Sequence, residues 1–311
     1  MRVVFFGTPD FAVPSLRALA AEHDVAAVFT QPDRPKGRGN KLTESPVKSA
    51  AVSFGITVHQ PERVRRAPNL ELLQSLVADL MVVVGYGQII PQSIIDLPRY
   101  GILNVHASLL PKYRGAAPIQ WAIANGETRT GVTIMQIDAG LDTGDMLLAH
   151  LVAIEPDETA PELSSRLAPL GADLLLEAIR GIAAGSIHHE KQNDAEATLA
   201  PILKKEDGLI DWRRASNEIY NRLRGFTPWP GAYTIFRGNQ LSITRARPAH
   251  DIHGPAPGRM RRERPRLLVG CGQGTALEIL EVQLAGKNRM SAEAFLNGYR
   301  PDESQSLGEQ N

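Results

Sequence analysis

The chain reads as an α/β protein: a doubly wound, parallel-sheet (Rossmann-like) domain followed by a small β-barrel or sandwich. Three observations predict this. Short apolar runs alternate with helical patterns over roughly the first 185 residues. The alternation then breaks at a polar, irregular stretch. Beyond it come short strand-like runs separated by Gly, Pro and Asn. A chain of 311 residues is long for one average domain and comfortable for two.

The elements follow in order. Residues 3–6 form an apolar run that ends in the turn Gly7-Thr8-Pro9-Asp10. Residues 11–21 place Phe11, Leu16 and Leu19 at helical spacing, and 25–30 are β-rich. Residues 80–84, 102–105 and 132–137 are unbroken apolar runs, the pattern of strands covered on both faces. Helices are predicted near 46–54, 69–78, 117–125 and 159–183. Such alternation builds a parallel, doubly wound sheet. The stretch 186–205 carries Ser186, His188, His189, Gln192 and Asn193 and reads as a linker. The predicted organisation is a first domain over 1–187, a linker over 188–205 and a second domain over 206–311. In the second, a helix near 215–224 precedes strand-like runs at 232–236, 241–244, 266–269 and 276–283. The last ten residues read as a frayed tail.

Composition bounds the function. Hydrophobic residues make up 43% and charged residues 22%, as in soluble globular proteins. Cys271 is the one cysteine, so no internal disulfide forms, and no cluster shows metal-ligand spacing. No metal is expected. The apolar run at 3–6 is far too short for a signal peptide or a membrane span, so a cytoplasmic chain without membrane attachment is expected, and a monomer. Net charge is zero but uneven. Residues 1–205 hold 19 basic and 22 acidic side chains, and 206–311 hold 15 and 12. Within 213–266 the count is 12 basic against 3 acidic. Such a stretch is either a solvated face or a surface for a polyanion.

The densest chemistry lies at Asn104-Val105-His106-Ala107-Ser108-Leu109-Leu110-Pro111-Lys112-Tyr113-Arg114-Gly115. Positions i and i+2 of a strand point the same way, so Asn104 and His106 project together near a strand's C-terminal end. In open α/β sheets ligands bind there. An Asn amide donates to a developing oxyanion without changing charge, and a nearby His exchanges protons near neutral pH. Alone, Asn-x-His is a weak signal and reads better as a capped strand end. A second piece, Asp138-Ala139-Gly140-Leu141-Asp142-Thr143-Gly144-Asp145, follows the run at 132–137. An Asp in it is placed to orient His106 or to hold a water. It lacks the Glu of a calcium hand. Gly7-Thr8-Pro9 lacks the G-x-G-x-x-G order of a dinucleotide fingerprint. Residues 31–42 carry Arg34, Lys36, Arg38 and Lys41 among glycines and prolines, without the P-loop order, and read as an exposed flexible loop.

Asn104-x-His106 running into Ser108-Leu109-Leu110-Pro111-x-Tyr113-Arg114-Gly115, then Gly140-Leu141-Asp142-Thr143-Gly144, resembles the formyltetrahydrofolate-dependent formyltransferases. The resemblance extends to Phe6-Gly7-Thr8-Pro9-Asp10-Phe11-Ala12, the basic insertion at 34–42, Ala116-Ala117-Pro118-Ile119-Gln120-Trp121, Lys204-Lys205-Glu206-Asp207-Gly208-Leu209-Ile210-Asp211-Trp212 and Pro228-Trp229-Pro230-Gly231-Ala232. It covers nearly the whole length and is strongest for the members that act on methionyl-tRNA.

The resemblance implies an enzyme with Asn104, His106 and Asp142 as its catalytic trio. It implies 10-formyltetrahydrofolate as co-substrate, held by Ser108, Leu109, Leu110 and Pro111 and by the turn Gly85, Tyr86, Gly87 and Gln88. It implies initiator methionyl-tRNA as partner, gripped by Arg34, Lys36, Arg38 and Lys41. The second domain would be an OB-like barrel that binds tRNA. Other readings are a family member acting on a glycinamide nucleotide or an amino sugar, a hydrolase releasing formate, and a non-catalytic RNA-binding protein.

Overall fold

The computed structural model describes residues 1–36, 41–263, 266–302 and 305–308, with Lys36 and Lys41 described in their backbone only. It divides into two units. The first comprises Met1–Pro118, Arg129–Ala153 and Glu162–Pro201. The second comprises Ile119–Thr128, Ile154–Pro161 and Ile202–Asn311.

The chain begins with β1 (Arg2–Gly7), α1 (Val13–Glu22), β2 (Asp24–Phe29), β3 (Arg34–Lys36), β4 (Lys41–Thr43), α2 (Pro46–Ser53) and β5 (Val58–His59). It continues with α3 (Ala67–Ser75), β6 (Leu80–Val84), α4 (Gln92–Ile95), β7 (Ile102–His106), α5 (Pro118–Ala124), β8 (Arg129–Gln136), β9 (Met146–Ala153) and α6 (Ala160–Ala184). Except for Pro118, α5 belongs to the second unit. Except for its first two residues, α6 belongs to the first.

One seven-stranded sheet, in the order β5-β2-β1-β6-β7-β8-β9, organises the first unit. β5, β2, β1, β6 and β7 are parallel, the Rossmann-like part. β6 and β7 bury every residue, because both faces of a parallel sheet are covered. One face packs Phe6 on Phe29 with ring centroids 5.0 Å apart, and Tyr86 stands edge-on to Phe6 at 5.3 Å. Fully burying such an aromatic ring contributes about 1.5–3 kcal/mol. α2 starts where it does because Ser45 accepts a hydrogen bond from Lys48 N at 3.0 Å and Pro46 fills the first turn.

Four features differ from the sequence expectation. β8 runs antiparallel to β7, and β9 antiparallel to β8, so the sheet is mixed at one edge. A buried apolar run carries no sign of its direction, which is why 132–137 reads as one more parallel strand. β9 escapes sequence reading because its middle, residues 149–151, is exposed, as an edge strand's can be. Within 31–42, expected to be an irregular loop, β3 and β4 form an antiparallel ribbon with Arg34 opposite Thr43 and Lys36 opposite Lys41. Pro35 is tolerated because a two-stranded ribbon leaves one side of each strand unpaired. Finally, residues 305–308 of the expected tail are docked: Leu307 is buried, and its N–H donates to Gly258 O at 2.9 Å.

The second unit adds α7 (Ser216–Gly225), β10 (Ala232–Phe236), β11 (Asn239–Pro248), β12 (Met260–Glu263), β13 (Arg266–Gly270), β14 (Ala276–Leu284), β15 (Met290–Ser291) and α8 (Ala292–Tyr299). Its strands form an antiparallel sheet along β10-β11-β14-β13-β12, with β15 on β14. Alternation along β10 and β11 turns Ala232, Thr234, Phe236, Leu241 and Ile243 inward. The four apolar residues among them meet Ile219 and Leu223 of α7 and Phe295 and Leu296 of α8 in one core. Trp121 of α5 packs edge-on against Phe226 at 5.2 Å, and Arg224 Nη1 donates to Glu158 O at 3.0 Å. Among the described residues no helix is long and apolar enough to cross a membrane.

Candidate active site

The site is built at the C-terminal end of β7. Asn104 and His106, two residues apart on one strand, are 8% and 5% exposed. Asp142 arrives from the loop between β8 and β9. Its Oδ1 accepts from Asn104 Nδ2 at 3.2 Å and its Oδ2 from Gly115 N at 2.8 Å. The structure thus brings the three predicted catalytic residues together.

The imidazole is oriented by a group the sequence reading missed. His106 Nε2–H donates to the Tyr113 carbonyl at 2.9 Å. A carbonyl only accepts, so the ring proton sits on Nε2 and the neutral ring presents its Nδ1 lone pair. Nδ1 lies 3.6 Å from Asp142 Oδ2, too long for a hydrogen bond but close for a charge. Asp142 therefore faces His106 electrostatically, and the Tyr113 carbonyl sets its orientation.

The loop after β7 is shaped to do this. Tyr113 sits at φ 62° and Asp142 at φ 51°, left-handed conformations that cost a non-glycine residue of order 1–3 kcal/mol and persist only where surroundings hold them. Gly115 adopts φ 121°, and a Cβ there would stand 2.7 Å from Ala200 O. Gly144 lets its loop turn against β8, since a Cβ would meet Gln136 O far inside contact distance.

The residues expected to touch folate divide in two. Ser108 is fully buried, its Oγ donates to Lys112 O at 2.6 Å, and its carbonyl accepts from Thr133 Oγ1 at 2.7 Å. Leu110 is buried as well, with its N–H donating to Thr133 Oγ1 at 3.2 Å. Leu109 and Pro111 remain partly exposed. In the turn after β6, the Tyr86 ring belongs to the core. Gln88 ties down a neighbouring segment, accepting from Val64 N at 2.8 Å and donating to Pro61 O at 2.9 Å. Gly85 and Gly87 are exposed. Thr8 Oγ1 and Gln31 Nε2 both donate to Tyr86 O, at 3.1 and 3.0 Å, and so join the loops after β1, β2 and β6.

In the basic insertion, Arg34 is exposed and its Nη2 stands 3.9 Å from Glu62 Oε2, an exposed pair of little energetic weight. Lys36 and Lys41 lie opposite each other in the ribbon. Arg38 lies outside the described residues.

The segment read as a linker also reaches the site. Thr198 Oγ1 accepts from Tyr113 N at 2.9 Å, and Arg114 pairs in parallel with Leu199. Gln192 donates to the backbone of the Asp142 loop and accepts from Arg114. Arg114 stood inside a recognisable motif. Gln192 and Thr198 carry no signal in a single sequence, because polar residues in an irregular stretch look alike.

A neutral amide donor, an imidazole and a carboxylate converge at the C-terminal end of an interior strand, the equipment of an acyl-transfer site. The formyl transferase family model matches residues 1–179 and that of the formyl transferase C-terminal domain matches 202–300. The chain belongs to the formyltransferase family. Its relatives include the methionyl-tRNA formyltransferase of Solibacter usitatus, 60% identical over 99% of both chains. That of Koribacter versatilis is 58% identical over the same shares. Among solved structures, a sugar 3N-formyl transferase crystallised with dTDP and 5-N-formyl-THF superposes with a TM-score of 0.68. The match covers 93% of this chain and 99% of that one at 21% identity, a likeness of fold.

Proposed function

We propose that this chain transfers the formyl group of 10-formyltetrahydrofolate to the free α-amine of initiator methionyl-tRNA, giving N-formylmethionyl-tRNA for translation initiation. The observation that carries the reading is the convergence of Asn104, His106 and Asp142 in a chain that matches methionyl-tRNA formyltransferases along 99% of its length. In the reaction the amine nitrogen bonds to the formyl carbon, the bond from that carbon to the folate nitrogen breaks, and a proton moves from the amine to the leaving nitrogen.

Each residue has a part. An Asn amide has two N–H donors. One goes to Asp142, and the other is left for the carbonyl oxygen as it gains charge. His106 keeps Nδ1 free to take up the amine's proton, and the Asp142 carboxylate 3.6 Å away stabilises the cation so formed. The donor set fits a formyl carbonyl. Backbone at Gly85 and Gly87, with Leu109 and Pro111, would hold the pterin. Arg34, Lys36, Arg38 and Lys41 would grip the acceptor end of the tRNA through phosphates, with the basic stretch 213–266 adding affinity.

The test supplies 10-formyltetrahydrofolate with methionyl-tRNA, with a dTDP-linked amino sugar, or with no acceptor, while formyl transfer and formate release are followed. Formylation of methionyl-tRNA is expected. Transfer to the sugar alone, or release of formate without an acceptor, would replace this reading.

A further inference from the structure

Asp142 sits in the left-handed backbone region at φ 51°, and one side chain outside the trio is bonded to its carbonyl. Gln192 Nε2 donates to Asp142 O and to Gly144 O, both at 2.8 Å. Gln192 Oε1 accepts from Arg114 Nε at 3.0 Å and from Arg114 Nη2 at 2.8 Å. Arg114 is 6% exposed and lies on the loop that carries the Tyr113 carbonyl. One amide therefore bridges the loop that orients His106 and the loop that presents Asp142.

We propose that Gln192 is a positioning residue that holds Asp142 against Asn104 and His106. The proposal rests on the formyl-transfer reading for its kinetic arm only. The chemistry requires this residue type. The two carbonyls accept and cannot donate, and the guanidinium donates and cannot accept. Only a primary amide offers two donors on one side and an acceptor on the other. A glutamate would keep Arg114 paired while turning a second set of acceptors on the Asp142 and Gly144 carbonyls. Gln192 pins the carbonyls of Asp142, which sits at φ 51°, and of Gly144. Loss of the bridge lets the peptide relax, and displacing a reacting group by about 1 Å typically costs about 10²-fold in rate.

Gln192→Glu separates positioning from folding, because the buried Arg114 stays satisfied. Hydrogen–deuterium exchange of the free protein is read at Gly115, whose N–H donates to Asp142 Oδ2. Faster exchange there in the variant is expected. In the formylation assay kcat should fall by about 10- to 100-fold, with KM for both substrates within about twofold. Combined with Asp142→Asn, the variant should be no more than about twofold slower than Asp142→Asn alone, because groups acting as a unit are lost once. Unchanged exchange at Gly115 would overturn the proposal whatever the substrate. Unchanged kcat with faster exchange, or losses that multiply in the double variant, would overturn it too. If the unaltered enzyme formylates no methionyl-tRNA, the substrate reading fails, and the exchange arm still decides whether Gln192 holds Asp142.

Discussion

Asp142 Oδ1 accepts a hydrogen bond from Asn104 Nδ2 at 3.2 Å across 38 positions of chain. The same carboxylate faces His106 Nδ1 with its other oxygen. Asn104→Ala removes the donor aimed at the carbonyl oxygen, and Asp142→Asn removes the charge while keeping the volume. Each should lower kcat by about 10²–10³-fold with the fold intact, measured by initial rates beside thermal melting. His106→Ala should cost a similar factor. Wild-type turnover in a well-folded His106→Ala protein would falsify the trio.

The basic insertion is expected to act through charge. Alanine at Arg34, Lys36, Arg38 or Lys41 should raise KM for methionyl-tRNA and leave KM for the folate alone. Each lost phosphate contact should reduce the slope of log Kd against log salt by about 0.7–0.9. A slope identical to wild type in all four variants would remove the insertion from the RNA surface.

Cys271 is 1% exposed, and burial pushes its thiol up to about 12. The nucleophile is the thiolate, so the folded protein should resist alkylation near neutral pH and react within minutes once denatured. Mass spectrometry before and after guanidinium treatment reads the difference. Full labelling of the native protein would show the core around β13 to be open.

Burial against Phe29, with ring centroids 5.0 Å apart, holds the His59 imidazole below its ordinary value of 6.5. The folded state then resists a proton that the unfolded state accepts. Stability from this group is complete above about pH 6.5 and declines as pH falls through the lowered native value. The fall in Tm between about pH 7.5 and about pH 5.5 should therefore be smaller in His59→Phe than in wild type. Calorimetry at the two pH values decides, and an equal fall would mean that His59 titrates alike in both states.

Much of this was legible in the residues themselves. β6 and β10 fall on the runs expected at 80–84 and 232–236, because burial on both faces and strict alternation each leave a clear pattern. Asn104, His106 and Asp142 stood out because a strand's period and two glycine-bearing loops frame them. The antiparallel direction of β8 was hidden, since hydrogen-bond direction leaves no mark on side-chain polarity. The Tyr113 carbonyl and Gln192 were hidden for a related reason: their contributions depend on partners 7 to 78 positions away.

The division of the chain into two units carries a further consequence for its modularity. Ile119–Thr128 and Ile154–Pro161 lie well before residue 202 in the sequence yet belong to the second unit, where Trp121 meets Phe226 and Arg224 reaches Glu158 O. A gene fragment starting at residue 202 would encode an unfinished body with Phe226 stripped of its cover. The second unit is therefore not a cassette that recombination can append or remove whole, and shuffling between relatives would have to exchange all three of its pieces together.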